Sequence, residues 1–550
     1  MALTTQQMLY INNLLYSTSP SLYGDAPQTT FEGRTIGDFV NQISASANVT
    51  KTCSEAEWNS IVDQIKNDSQ LMNLQIKNTY IDHSTGDAGC MIVDPSSNEA
   101  IVAFRGTGSG EWKDNFYAGT TMDNCGSDPT ISVQQQKAID YVNSLALSGY
   151  DNVTVTGHSK GGNKAKICAL MCSEVDNCVS FDGQGFSDEF MVAHQAEIAR
   201  NQSKIHNHNV DGDFVNILLN DVGDTTYYEG QRIGSNFLKN HDPSSFWTAD
   251  GRMVEGVQRQ EMKDLDAFLN SCLRSVDAQK KEKLLDFCAE VANGVFSGGD
   301  PVKNLRSVLL DPRYEDQAAY LIAYTLSYEN ETGKISSSVA KVLENMGLSE
   351  FTKYTDIANA VMSNEKLFSV ITWAMQHGDA IPDWVIDWVR EKLNLDLSTE
   401  ELRNVLAIVT KAGIMIESID IDAGSGSDIA VSGSSSGIED IHQVEIDGFG
   451  DIDFDMDFIL VDFGALFNAY NAMNHALEQY SYALKLLKNT AENLAGRWEG
   501  DGRDAFYENQ MRLLQYYGIM RDVCGKITNQ LNESRQQYKG AVDRLKQMMM

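Results

Sequence analysis

Residues 154–167 read TVTGHSKGGNKAKI, and the fold turns on whether Ser159 stands at a built corner. The run leading in, VTVT at 153–156, is β-branched and reads as a strand. The run leading out, NKAKICALMC, favours a helix. A strand that passes into a helix within a few residues must turn sharply, which puts Ser159 in strained backbone. Gly157 and Gly161 remove side chains that would collide in that turn, and Gly162 extends the clearance. Ser159 also lies at a helix N-terminus, where unpaired N–H groups and the dipole favour a developing anion. A second G-x-S-x-G match, GSSSG at 433–437, has neither strand nor helix to hold Ser435, so it is set aside.

Outward from this corner, residues 1–258 alternate strand and helix patterns. EAIVAFR at 99–105 is a short β-rich run, and 133–148 has helical periodicity. This alternation predicts an α/β domain with a mainly parallel sheet covered by helices. From 259 to 422 the patterns are helical. KLLDFCAEVANGVF and STEELRNVLAIVTKAG are amphipathic, and Ser398 with Glu401 forms a capping-box pattern. Trp384 and Trp388 stand one turn apart and suit either a core stripe or an exposed aromatic edge. Residues 423–457 form a Gly/Ser-rich and then acidic linker. Asp451, Asp453 and Asp455 resemble the start of a calcium loop. Met456 stands where that loop needs Gly, and Asp462 where it prefers Glu, so a short strand with an acidic edge is the better reading.

From 458 to 550 apolar residues recur in steps of three and four. One series starts at Phe463 and ends at Trp498; a second starts at Phe506 and is broken at Gln510 and Ser534. Each is a heptad seam. Gly500 and Gly502 interrupt between them, which predicts two long helices folded back as an antiparallel hairpin.

A chain of 550 residues exceeds one core, so several domains are expected. The net charge of −34 repels phosphate backbones and excludes nucleic acid as a natural partner. It repels anionic headgroups too, so any membrane contact needs a local apolar patch. Nine cysteines without a C-x-x-C pair argue against structural zinc and for buried thiols. No apolar run is long enough for a transmembrane helix, and the first residues lack the pattern of a Sec signal.

A nucleophilic serine needs a base, and the base needs an orienting acid. In doubly wound hydrolases these follow in the order Ser, Asp, His. His206 and His208 precede the best acid, and His194 falls in a helical run, so His241 in FLKNHDPSSF is the preferred base. NVDGDFVNILL reads as a strand end, a loop and the start of another element. It offers Asp213, preferred, and Asp211; Asp182 is the outsider. The oxyanion donors expected are the backbone N–H of Lys160 and a donor from the loop at Gly106 and Thr107, whose hydroxyl can add another. No metal or cofactor is required.

AFRGT…EWKDNF, VTGHSKGGNKA and VDGDFVNILL together resemble the class 3 lipase-like α/β-hydrolases of bacteria, as does MLYINNLLY near the start. The resemblance covers about residues 1–250. It implies a lipase-type fold, acyl-ester hydrolysis, Ser159 as nucleophile, Asp213 and His241 as partners, and Thr107 in the oxyanion hole. Better-known class 3 lipases carry an apolar residue where this chain has Lys160. Trp498-Glu499-Gly500 at the turn between heptad helices resembles the W-x-G hairpins of type VII secretion substrates in Gram-positive bacteria. That family usually carries Y-x-x-x-D/E after the hairpin; here Tyr538 precedes Asp543 by five positions. The combined arrangement resembles secreted lipase toxins with the targeting hairpin at the C-terminus. It implies a secreted protein, a lipid substrate, small helical-hairpin secretion partners and an immunity protein. The alternatives are the same triad acting on a thioester, peptide or small ester, and an inactive binding scaffold carried by the hairpin.

Overall fold

A computed structural model describes residues 3–416 except 18–20, 24–29, 44–52, 109–111, 118–127, 231–236, 249–250, 277, 297–299, 346–348 and 378–379; beyond 416 it describes 419, 480, 481, 484, 485, 488, 521, 526 and 528. The fold divides into two compact units, 1–434 and 435–550. Each described position of the second unit is helical. The 423–457 linker, Ser435, the acidic run around Asp451, Trp498, Gly500, Tyr538 and Asp543 lie outside the described residues.

The β-rich runs of the first unit assemble into one sheet of eight strands in sequential order. They are β1 (Gln75–Ile81), β2 (Ala88–Asp94), β3 (Glu99–Phe104), β4 (Asn152–His158), β5 (Asn177–Phe181), β6 (Ile205–Val210), β7 (Asp224–Tyr228) and β8 (Glu255–Gly256). From β3 to β7 neighbours are parallel; the pairs at either edge are antiparallel. Right-handed crossovers that always step the same way place their helices on one face. The other face is covered from the N-terminal side, by helices Thr5–Leu14, Ile36–Val40 and Glu55–Lys66. Period-two alternation sorts the strands between the two layers. Cys90, Ile92, Ile101 and Ala103 meet the N-terminal helices. Met91, Val93, Val102 and Phe104 meet the crossover helices Val133–Ser144 and Lys160–Met171. Burial on both faces explains why β2 and β3 read as near-continuous apolar runs.

Three local readings differ. The helix expected over 133–148 ends at Ser144, because Leu145 turns extended and Leu147 folds back into the crossover core. His194 sits between two short helices, Asp188–Ala193 and Gln195–Asn201. After Asp213 no new element starts; the chain stays irregular, and Phe214, Val215 and Ile217 enter the core of the helical region.

That region, from helix Gln260–Ser275 to helix Thr399–Met415, has its own core around Tyr324, Tyr354 and Val405. The Ser398–Glu401 capping box is present. Trp384 is 56% exposed while Trp388 packs against the core, so the pair is split between the two readings. Among the described residues no helix is long and apolar enough to cross a membrane. Cys90, Cys168, Cys172, Cys178 and Cys272 are buried thiols.

Candidate active site

β4 ends at His158 and helix Lys160–Met171 begins at once, leaving Ser159 alone in the corner with φ 61° and ψ −129°. A positive φ is uncommon for a residue with a Cβ and marks stored strain. The glycines are required by contact. A Cβ on Gly157 would lie 2.1 Å from the carbonyl carbon of Gly161, and one on Gly161 would lie 2.2 Å from the Phe104 carbonyl oxygen. Ser159 N–H donates to the Phe181 carbonyl at 2.9 Å, tying the corner to β5.

His241 arrives from the 3₁₀ turn Phe237–His241, 82 positions along the chain. Its Nε2 is 2.8 Å from Ser159 Oγ, and its Nδ1 is 2.9 Å from Asp213 Oδ1. Asp213 is fully buried, and its other oxygen accepts from the Asn216 N–H at 2.9 Å. The structure therefore brings Ser159, His241 and Asp213 into one hydrogen-bonded line.

The rival residues are engaged elsewhere. Asp211 pairs with Arg259 at 3.2 Å and accepts from the Gly230 N–H. Asp182 is buried beside Asp213 and accepts through Oδ1 from Val210 N–H and the Asn216 side chain. Burial, and then the Asp213 carboxylate, push its pKa well above the usual carboxyl range. A group held neutral in this way is a poor orienter for an imidazolium. His206 pairs with Asp224, His208 meets the Tyr228 hydroxyl, and His194 meets Thr130 and Asp128.

On the oxyanion side, Thr107 Oγ1 accepts from Asn115 Nδ2 at 2.7 Å. The side chain of Lys160 is fully buried; its Nζ lies 2.5 Å from Asp114 Oδ1. The residues that sequence reasoning missed are Tyr16, Asp114, Asn115 and His158. The Tyr16 hydroxyl and His158 Nδ1 are 2.8 Å apart. The His158 ring centroid is 4.8 Å from that of His241. Burial, and then the neighbouring His241, hold the His158 pKa well below the usual imidazole range, so its ring stays neutral. Position beside the serine is the signal that marks His158; Asp114 and Asn115 lie in the EWKDNF run, which by itself gave neither a role.

Among the described residues, donor atoms of His158, Asp182 and His241 lie within 4.8 Å of one another. Both ring nitrogens of His241 are already bonded, to Asp213 and Ser159, so an ion held there would dismantle that line.

Residues 71–289 match the family model described as Mbeg1-like, and residues 459–543 match that described as proteins of 100 residues with WXG. The two matches fall on separate stretches of the chain. Similar solved structures include Lip2 lipase from Yarrowia lipolytica, with 15% identity over 47% of this chain and 84% of that one, TM-score 0.26. The Rhizomucor miehei lipase propeptide complex has 14% identity over 46% and 81%, TM-score 0.28. Lipase II from Rhizopus niveus has 11% identity over 40% and 78%, TM-score 0.26. No curated protein matches the chain.

Proposed function

We propose that the first unit is a serine hydrolase that cleaves acyl esters of lipids through Ser159, His241 and Asp213. The observation that carries this reading is the pair of bonds at 2.8 and 2.9 Å joining the three side chains across the chain. His241 takes the Ser159 proton as Oγ attacks the ester carbonyl. Asp213 holds the ring by Nδ1 and stabilises the imidazolium. The tetrahedral oxyanion is received by the N–H groups of Lys160 and Thr107, with the Thr107 hydroxyl in reach. Collapse releases the alcohol, which takes the proton from His241. Water, deprotonated by the same ring, then cleaves the acyl-enzyme.

The WXG match over 459–543 supports export by a type VII route with a helical-hairpin partner. The boundaries 1–258, 259–422, 423–457 and 458–550 for hydrolase, helical region, linker and hairpin are part of the same proposal. Phospholipid or glyceride as target, and a toxin role with an immunity protein, complete the reading by analogy with secreted lipase toxins. Fluorophosphonate labelling tests the chemistry: wild type is labelled and Ser159→Ala is not. Equal labelling of the two, or none of wild type, sinks the enzyme reading. Lipid profiling of vesicles with wild type and Ser159→Ala then tests the substrate. Cleavage of short-chain esters with intact vesicles would move the assignment to a non-lipid esterase.

A further inference from the structure

The residue after the candidate nucleophile is a lysine, yet it has no exposed surface. An ammonium removed from water needs a partner, or the fold rejects it. Its partner is Asp114, on the helix Trp112–Tyr117 that follows the oxyanion loop. Asp114 is itself held on both oxygens: Oδ1 accepts from the Ser132 hydroxyl at 2.9 Å and Oδ2 from the Gln134 N–H at 3.1 Å. The next residue, Asn115, is held through its carbonyl by Gln184 Nε2 at 2.8 Å, and donates its amide to Thr107 Oγ1 at 2.7 Å. Polar contacts, buried at Lys160–Asp114 and half-buried at Asn115–Thr107, thus link the elbow to the oxyanion loop through the short helix. They link the two positions whose N–H groups must converge on one oxygen. A second tie, Lys113 to Asp286 on helix Ala278–Phe296, has a half-exposed lysine. Exposed pairs of that kind hold little, so of the two ion pairs on this helix the buried one is the stronger tie.

We propose that Lys160 is a positioning residue: its buried ion pair with Asp114 sets helix Trp112–Tyr117, and through Asn115 sets Thr107, at the distance from the Lys160 N–H that an acyl oxyanion needs. The inference rests on Ser159 being the nucleophile. The polarity of the Asn115 bond matters as well. Because Thr107 Oγ1 accepts from Asn115, the hydroxyl proton is left to donate to the oxyanion.

The test separates positioning from stability. Lys160→Met leaves a buried carboxylate unpaired and lowers both. The double variant Lys160→Met/Asp114→Asn removes both charges together, while the new amide still offers partners to the Ser132 hydroxyl and the Gln134 N–H, so stability is kept. We expect its thermal midpoint to match wild type while kcat on a short-chain ester stays about 10²–10³-fold down, with KM within about threefold. Binding of butylboronic acid, whose adduct on Ser159 carries the negative charge, weakens in step with kcat. Return of kcat together with the thermal midpoint would show a purely structural pair and overturn the proposal. A boronate affinity unchanged in the double variant overturns it too. If wild type resists fluorophosphonate, the nucleophile assignment has failed, and this proposal falls with it for that separate reason.

Discussion

At Ser159 the backbone holds a geometry that a residue with a side chain resists, and neighbouring glycines make room for it. This strain is a reservoir of about 1–3 kcal/mol. Ser159→Gly should therefore raise the unfolding free energy by about 1 kcal/mol in urea while abolishing hydrolysis. A loss of stability instead would mean that the corner is relaxed. Gly157→Ala should do the opposite, since its Cβ would meet Gly161 backbone at 2.1 Å; a loss of about 3 kcal/mol, with poor expression, is expected. Asn115→Asp keeps size but reverses the bond to Thr107, which must then donate its proton to the carboxylate. An expected fall in kcat of about 10²-fold, with KM unchanged, distinguishes this from a loss of substrate binding. At this scale the corner was legible, because strand, glycines and helix are contiguous in sequence. The preference for Asp213 over Asp211 rested on pattern alone. What separates them is Arg259, which occupies Asp211.

The helix Lys160–Met171 buries three lysines, Lys160, Lys164 and Lys166, each with an aspartate from another element: Asp114, Asp87 and Asp221. In sequence NKAKICALMC looks like an ordinary exposed-charge helix. Lysine at these positions reads as solvated until the partners are known, and they lie far along the chain. Removing one side of a buried pair costs about 3–5 kcal/mol, whereas replacing both sides with apolar groups is nearly neutral. Lys164→Met should accordingly lose that much in chemical denaturation, and Lys164→Met/Asp87→Leu should recover most of it. A single variant as stable as wild type would show that the pair is incidental. The Ser398 cap, by contrast, was readable from four adjacent residues, because capping is local.

Over the whole first unit, the helical region does more than follow the sheet. Phe214, Val215 and Ile217, just past Asp213, are anchored in its core, so the candidate acid is held from both sides. Ile217→Ala should cost about 2–5 kcal/mol and lower kcat with it, as seen by denaturation and ester turnover on the same preparation. The sheet also carries a pH sensitivity. Burial, then the neighbouring His206, lower the His208 pKa to about 4 against the opposing pull of Asp224. Because the folded value lies below the unfolded 6.5, this contribution is complete above pH 6.5 and is lost as pH falls toward about 4. It amounts to about 3 kcal/mol. The thermal midpoint of wild type should drop over that interval more steeply than that of His208→Asn; parallel curves would refute it. What the sequence by itself determined was everything carried by neighbours along the chain: the alternating α/β order, the strained corner at Ser159, the helical character of 259–416 and the capping box. Local sterics and periodicity act over a few residues and leave their mark there. What only the tertiary structure decided was how distant residues meet. It set His241 beside Ser159, buried Lys160 against Asp114 and fed the loop after Asp213 into another core. Such pairings depend on how the layers close, which no short stretch encodes.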